Sequence, residues 1–197
     1  MSSTVFKDKI FPHHISDIMS IMHLAVFEGS DGEEKWDTYL THKQKECIAL
    51  SLGMYYQCEH CVDHHMKVLS RLGHIKQETF MKNMTSMVLF LRVDVSRISE
   101  REKIRWVQAW QEFATKVALK SNDKSVPHLI GLAIGIARDD EFLIHFCGEE
   151  VKKIFTERNI NPDLVIGELE AVVVFMKAAT SKNRIAHKIA QLVYEKP

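Results

Sequence analysis

Apolar residues recur along this chain at steps of three and four rather than two, the pattern of amphipathic helices. Ile15, Ile18, Met19, Met22 and Val26 are predicted to line one face of a first helix. Gly29 and Gly32, among acidic neighbours, mark a loop. Thr41 is a candidate N-cap for a helix over 43–55. A second apolar repeat runs over 58–72, with Gly73 as its stop, and a third over 78–90. Ser99 and Glu102 form a capping box at the head of a long helix over 99–120. Pro127 opens the next, over 127–137, and segments 140–157 and 162–191 complete the pattern. Runs of alternating β-branched residues are missing, and no segment rich in proline, glycine or serine divides the chain. We therefore expect an all-α fold, with residues 1–197 forming one domain.

Composition changes this picture little. At 197 residues, with 46% apolar and 26% charged positions, the chain can bury one substantial core. Its formal net charge is zero, which argues against nucleic acid or an anionic membrane as partner and is compatible with self-assembly. The longest apolar runs, 129–137 and 171–176, are too short to span a bilayer. The opening MSSTVFKDKIFPHH lacks the apolar run of a secretory signal, so a cytoplasmic location is expected. In that compartment close cysteine pairs serve catalysis or metal binding more than structure.

Of the four cysteines, only Cys58 and Cys61 form a motif. At roughly 100° per residue, Cys58, Cys61 and His65 fall within an arc of about 60° on one helical face. Cys58 is expected on the first helical turn, where unsatisfied N–H groups and the helix dipole lower a thiol pKa. Two intervening residues let the pair close a disulfide without much strain. His65 can take a proton from Cys61 directly or through water. Glu46, one helix earlier, can orient an imidazole if its helix folds back, and His60 would lengthen such a relay. Zinc is an alternative use of the same pair: two further ligands would come from His65, Glu46, His60 or His64, although no second C-x-x-C exists. Inert core cysteines are disfavoured by the polar neighbours Glu59, His60, Asp63 and His64.

These residues resemble the AhpD-like branch of the carboxymuconolactone decarboxylase family, whose signature is a glutamate, eleven residues, C-x-x-C, three residues and a histidine. Glu46, Cys58, Cys61 and His65 stand at that spacing, and His60 precedes the second cysteine as in AhpD-type alkylhydroperoxidases. The resemblance covers roughly 43–73. It implies an AhpD-like helical bundle and a peroxidase or disulfide reductase of antioxidant defence, without cofactor or metal. It further implies that Cys61 is the more accessible, attacking thiol and Cys58 the one that closes the disulfide, with Glu46, His65 and His60 as proton relay. Implied partners are a hydroperoxide substrate, a lipoyl-bearing reductant protein or a peroxiredoxin, and further copies of the chain in a trimer or hexamer. Lactone decarboxylases of the wider family lack the cysteine pair; acid–base chemistry by His65 and Glu46 without the thiols is the remaining alternative.

The frame recurs 122 residues on: Glu46 answers Glu168, Cys58 Thr180, Cys61 Asn183 and His65 His187. Ala49, Leu50 and Leu52 likewise answer Ala171, Val172 and Val174. One reading is a degenerate second copy over 165–194, with a pseudo-twofold arrangement, a dead site, and structural roles for Glu168 and His187. The other is coincidence, since only two polar identities match. His13 and His14 read as exposed. Cys47 and Cys147 read as small core residues, and Phe80, Met81, Met84, Met87 and Phe90 as core or subunit interface.

Overall fold

The computed structural model describes residues 13–28, 38–72 and 77–194. Among them stand eight α-helices and no strand: α1 (His13–His23), α2 (His42–Tyr55), α3 (Glu59–Arg71), α4 (Gln77–Phe90), α5 (Glu100–Ser121), α6 (Val126–Arg138), α7 (Glu141–Glu157) and α8 (Pro162–Tyr194). A π-helical turn, Leu24–Glu28, follows α1, and a 3-10 turn, Val95–Arg97, precedes α5. The helical pattern in the sequence thus gives every helix from α2 to α8 to within a few residues.

Two helices lie inside. In α2 every residue from Gln44 to Gly53 is buried, and in α6 the buried run is Val126, Pro127 and Leu129 to Gly135. The buried run of α6 is apolar on every side, as a core helix should be; α2 also buries Gln44, Lys45, Glu46 and Ser51, each held by a hydrogen bond or ion pair. Helices α3, α4, α6 and α8 pack on α2, while α5, α7 and α8 pack on α6. The α6–α7 approach is close because Gly131 and Gly135 carry no side chain. A Cβ on Gly131 would overlap the Cys147 sulfur and lie 2.9 Å from Trp110 Cη2.

Capping fixes the helix ends. Thr41 and Gln44 form a reciprocal capping box at the head of α2, and Ser99 and Glu102 form one at the head of α5. Asn122 and Asp139 end α5 and α6 in the left-handed conformation that Asn and Asp tolerate. The α5–α6 connection docks on the start of α2: Gln44 Nε2 donates to Asp123 Oδ2 (2.7 Å) and Ser125 Oγ (3.0 Å), and Lys43 Nζ donates to the Ser121 carbonyl (2.6 Å).

Two expectations need correction. Ile18 was placed on the inner face of the first helix but is exposed; Met19, Met22, Val26 and the buried Phe27 make that contact. The π-helical turn after His23 shifts the register and brings Phe27 inward. The second copy over 165–194 also fails as a structural repeat. Residues 42–71 form a helix, a turn and a helix, whereas 162–194 form one continuous helix. Glu168 and His187, nineteen residues apart on one helix, are therefore separated by about 28 Å along its axis. Gln57, at the break, has φ 58°; its counterpart in the frame is Ala179, the strongest helix former, so α8 runs on. Gly29, Gly32, Gly73 and the side chains of Ile15, His13, His14 and His187 lie outside the described residues.

Candidate redox site

The site is built by the reversal between α2 and α3. Tyr56 ends α2 and Gln57 adopts the left-handed conformation. The Gln57 N–H donates to the Met54 carbonyl (3.2 Å) and the Cys58 N–H to the Gly53 carbonyl (2.9 Å). This pair of bonds is a Schellman motif, which satisfies carbonyls at a helix end. Cys58 is at once the last residue of that motif and the N-cap of α3. Its carbonyl accepts from the Val62 N–H (3.0 Å), and its sulfur accepts from the Cys61 N–H (3.3 Å). Only Tyr56, Gln57 and Cys58 separate the two helices, and the N–H, carbonyl and sulfur of Cys58 are all engaged. Among the described residues, three of the four non-glycine positions with positive φ are Asn or Asp; the fourth, Gln57, adjoins the thiols and carries the least tolerated side chain of the four.

Cys58 and Cys61 are joined as a disulfide, with Cα atoms 5.3 Å apart. Cys58 sits at the N-cap, one position earlier than the first helical turn expected for it, and there its sulfur caps the Cys61 N–H of α3. Gly53 lets α3 approach: a Cβ there would lie 3.2 Å from Cys61 Cβ. The resemblance implied that Cys61 is the more accessible of the pair, yet Cys58 and Cys61 are 4% and 5% exposed. An open groove of 630 Å³ is lined by Val62 and Met66 of α3 and Met81 of α4, and of the two cysteines it is Cys58 that lines it.

One helical turn beyond Cys61 stands a buried carboxylate–imidazole pair. Glu46 projects from α2, and its Oε2 meets His65 Nδ1 at 2.8 Å. The two side chains are 1% and 4% exposed. The fold-back of α2 that would bring Glu46 to the motif is thus present. Glu46 Oε1 also meets His42 Nε2 at 3.3 Å, and His42 is 41% exposed. His42, Glu46 and His65 therefore lead from the surface to the helix that carries Cys61. Sequence reading missed His42, although it stands four residues before Glu46 on the same helix, the spacing of side chains that touch. His60 is exposed on the first turn of α3. Phe27 (5.5 Å) and His64 (5.0 Å) pack against the His65 ring. Desolvation first, and the neighbouring His65 next, hold the His64 pKa below the usual imidazole range.

A second missed residue comes from α8. The Asn183 Nδ2 amide donates toward both sulfurs, at 3.6 Å from Cys58 Sγ and 3.5 Å from Cys61 Sγ. The other end of α8 anchors the chain entering α2. Glu168 accepts from the Tyr39 N–H (3.0 Å) and the Leu40 N–H (2.8 Å) and pairs with the buried Lys45 (3.5 Å). The remaining cysteines are core residues: burial pushes the Cys47 thiol up to about 12 and raises that of Cys147 as well. Phe80, Met84 and Met87 are buried, and Met81 lines the groove. Among the described residues no group of three or more His, Cys, Asp or Glu converges as metal ligands would, and no helix is long and apolar enough to cross a membrane.

Fold and site define an all-α protein carrying a C-x-x-C disulfide at a helix N-terminus. Compared with known proteins, the chain matches no family model, no curated protein and no solved structure.

Proposed function

We propose that this chain is a thiol-dependent peroxidase of the AhpD-like type, working in the cytoplasm as a homo-oligomer. The observation that carries the reading is the conjunction of the Cys58–Cys61 disulfide with the buried Glu46–His65 pair one helical turn on. A C-x-x-C disulfide alone fits many roles. A buried carboxylate holding the imidazole four residues beyond the second cysteine fits proton transfer to and from sulfur.

In the reduced protein the Cys61 thiolate attacks the terminal oxygen of a hydroperoxide. The O–O bond breaks, the alcohol leaves with a proton delivered through His65, and Cys61 becomes a sulfenic acid. The Cys58 thiol then attacks that sulfur; the S–S bond forms, the S–O bond breaks, and the departing hydroxide takes the Cys58 proton and leaves as water. An external dithiol, such as a dihydrolipoyl group on a partner protein, returns two electrons by thiol–disulfide exchange. A disulfide reductase serving a peroxiredoxin would use the same pair and the same resetting step.

The test is consumption of an alkyl hydroperoxide by the purified protein with an excess of dithiol. Turnover should be lost in Cys61→Ser and in Cys58→Ser. Peroxide and disulfide turnover unaffected by either change would overturn the proposal, and activity surviving loss of both cysteines would point to acid–base chemistry by His65 and Glu46.

A further inference from the structure

We infer that Asn183 is part of the redox site: its side-chain amide stabilises the thiolate released when the Cys58–Cys61 disulfide is reduced, and so sets the thiol pKa and the reduction potential of the pair. The inference rests on the redox reading of the two cysteines and extends it to a residue on a different helix, 122 positions from Cys61.

The geometry is specific. Asn183 Nδ2 lies at nearly equal distance from both sulfurs, 3.6 and 3.5 Å. Both sulfurs are almost fully withdrawn from water, so a charge formed on either needs a donor from the protein. Cys58 has two such donors, the Cys61 N–H at 3.3 Å and the Asn183 amide at 3.6 Å. For Cys61 the donor at hydrogen-bond distance is Asn183. Disulfide sulfur is a weak acceptor and thiolate sulfur a strong, charged one, so the same N–H gains strength when the bond opens. The amide contact therefore favours the reduced state over the oxidised one.

The electron count is simple. The disulfide takes two electrons and one proton from a dithiol and yields one thiolate and one thiol. The thiolate stays on a sulfur facing the Asn183 amide, and the proton goes to its partner sulfur. A donor that prefers thiolate lowers the pKa of the thiol that loses its proton. It also raises the reduction potential, since stabilising the reduced form makes a disulfide a better oxidant.

The experiment measures two quantities in wild type, Asn183→Ala and Asn183→Asp. The first is thiolate absorbance near 240 nm against pH; the second is the equilibrium of the pair with a dithiol redox buffer. Circular dichroism controls for loss of helix. In Asn183→Ala the midpoint of thiol titration should rise by about one pH unit, the tenfold change expected for a lost hydrogen bond to a charged group. The equilibrium should shift about tenfold toward disulfide, or about 30 mV more negative. Asn183→Asp keeps the size and cover of the side chain but presents a carboxylate, so both shifts should be larger. Unchanged midpoint and equilibrium in both variants would overturn the inference, as would faster thiol reaction with both quantities unchanged, which would make Asn183 a steric cover. A wild-type pair that does not oxidise reversibly would instead overturn the redox reading itself.

Discussion

The buried Glu46–His65 pair allows a quantitative prediction. Replacing Glu46 by alanine removes both carboxylate oxygens from a site in which the side chains of Glu46 and His65 are 1% and 4% exposed. His65 Nδ1 then loses its 2.8 Å partner, and His42 Nε2 loses its 3.3 Å contact. Removing one partner of a buried, hydrogen-bonded pair costs about 3–5 kcal/mol, because the other is left buried without compensation. Glu46→Gln retains the shape and one acceptor oxygen, so it should cost only about 1–2 kcal/mol. Against a total of about 10 kcal/mol, the middle of the usual range, both variants remain mostly folded at room temperature. Urea unfolding of the oxidised protein, with unchanged dependence on denaturant, reads the difference. The reduced variants should also react more slowly with hydroperoxide than wild type at neutral pH, since the imidazole is no longer held. Equal costs for the two substitutions, or a loss under about 1 kcal/mol in Glu46→Ala, would refute the assignment of this pair as a buried, coupled unit.

Other expectations follow from the same contacts. Glu168→Ala should destabilise by about 2–4 kcal/mol, because two N–H groups before α2 lose their acceptor and buried Lys45 loses its counter-charge; an equilibrium denaturation within 0.5 kcal/mol of wild type, about the scatter of an ordinary surface change, would contradict this. Gly131→Ala should cost about 1–3 kcal/mol by forcing α6 from α7, visible as a lower melting temperature. Burial alone would raise the Asp123 pKa, but hydrogen bonds from Ser125, Arg158 and Gln44 outweigh it and hold the carboxyl below its ordinary range. Asp123 thus adds stability that is present above the unfolded value near 4 and lost as pH falls through the folded one; Asp123→Asn should flatten the acid limb of stability below about pH 4. In the reduced, folded protein, iodoacetamide near pH 8 should modify no more than the two thiols of Cys58 and Cys61, because burial holds Cys47 and Cys147 protonated; mass spectrometry of labelled peptides checks it.

Local rules settled much of this protein. A three-to-four-residue apolar period needs no tertiary contact to be read, so α2 to α8 follow from it, as do the Thr41 and Ser99 caps, whose hydrogen bonds span three residues. The spacing of Cys58, Cys61 and His65 belongs to the same class, since a single helix puts them on one face. Glu46 was legible only as a candidate. Its offset fits a helix that folds back, and the fold-back is made by Gln57 in a left-handed conformation that its side chain does not advertise. The frame repeat misled for the same reason: it matched residue types across a turn on one side and a continuous helix on the other. Tertiary structure decided which distant groups meet. His42 enters the site because Glu46 is buried and has a second oxygen to offer. Asn183 enters because α8 runs unbroken past α2 and α3. Contacts between residues more than a hundred positions apart leave no periodicity in a sequence; they depend on how helices cross, and helix crossing is set by the summed packing of the whole core.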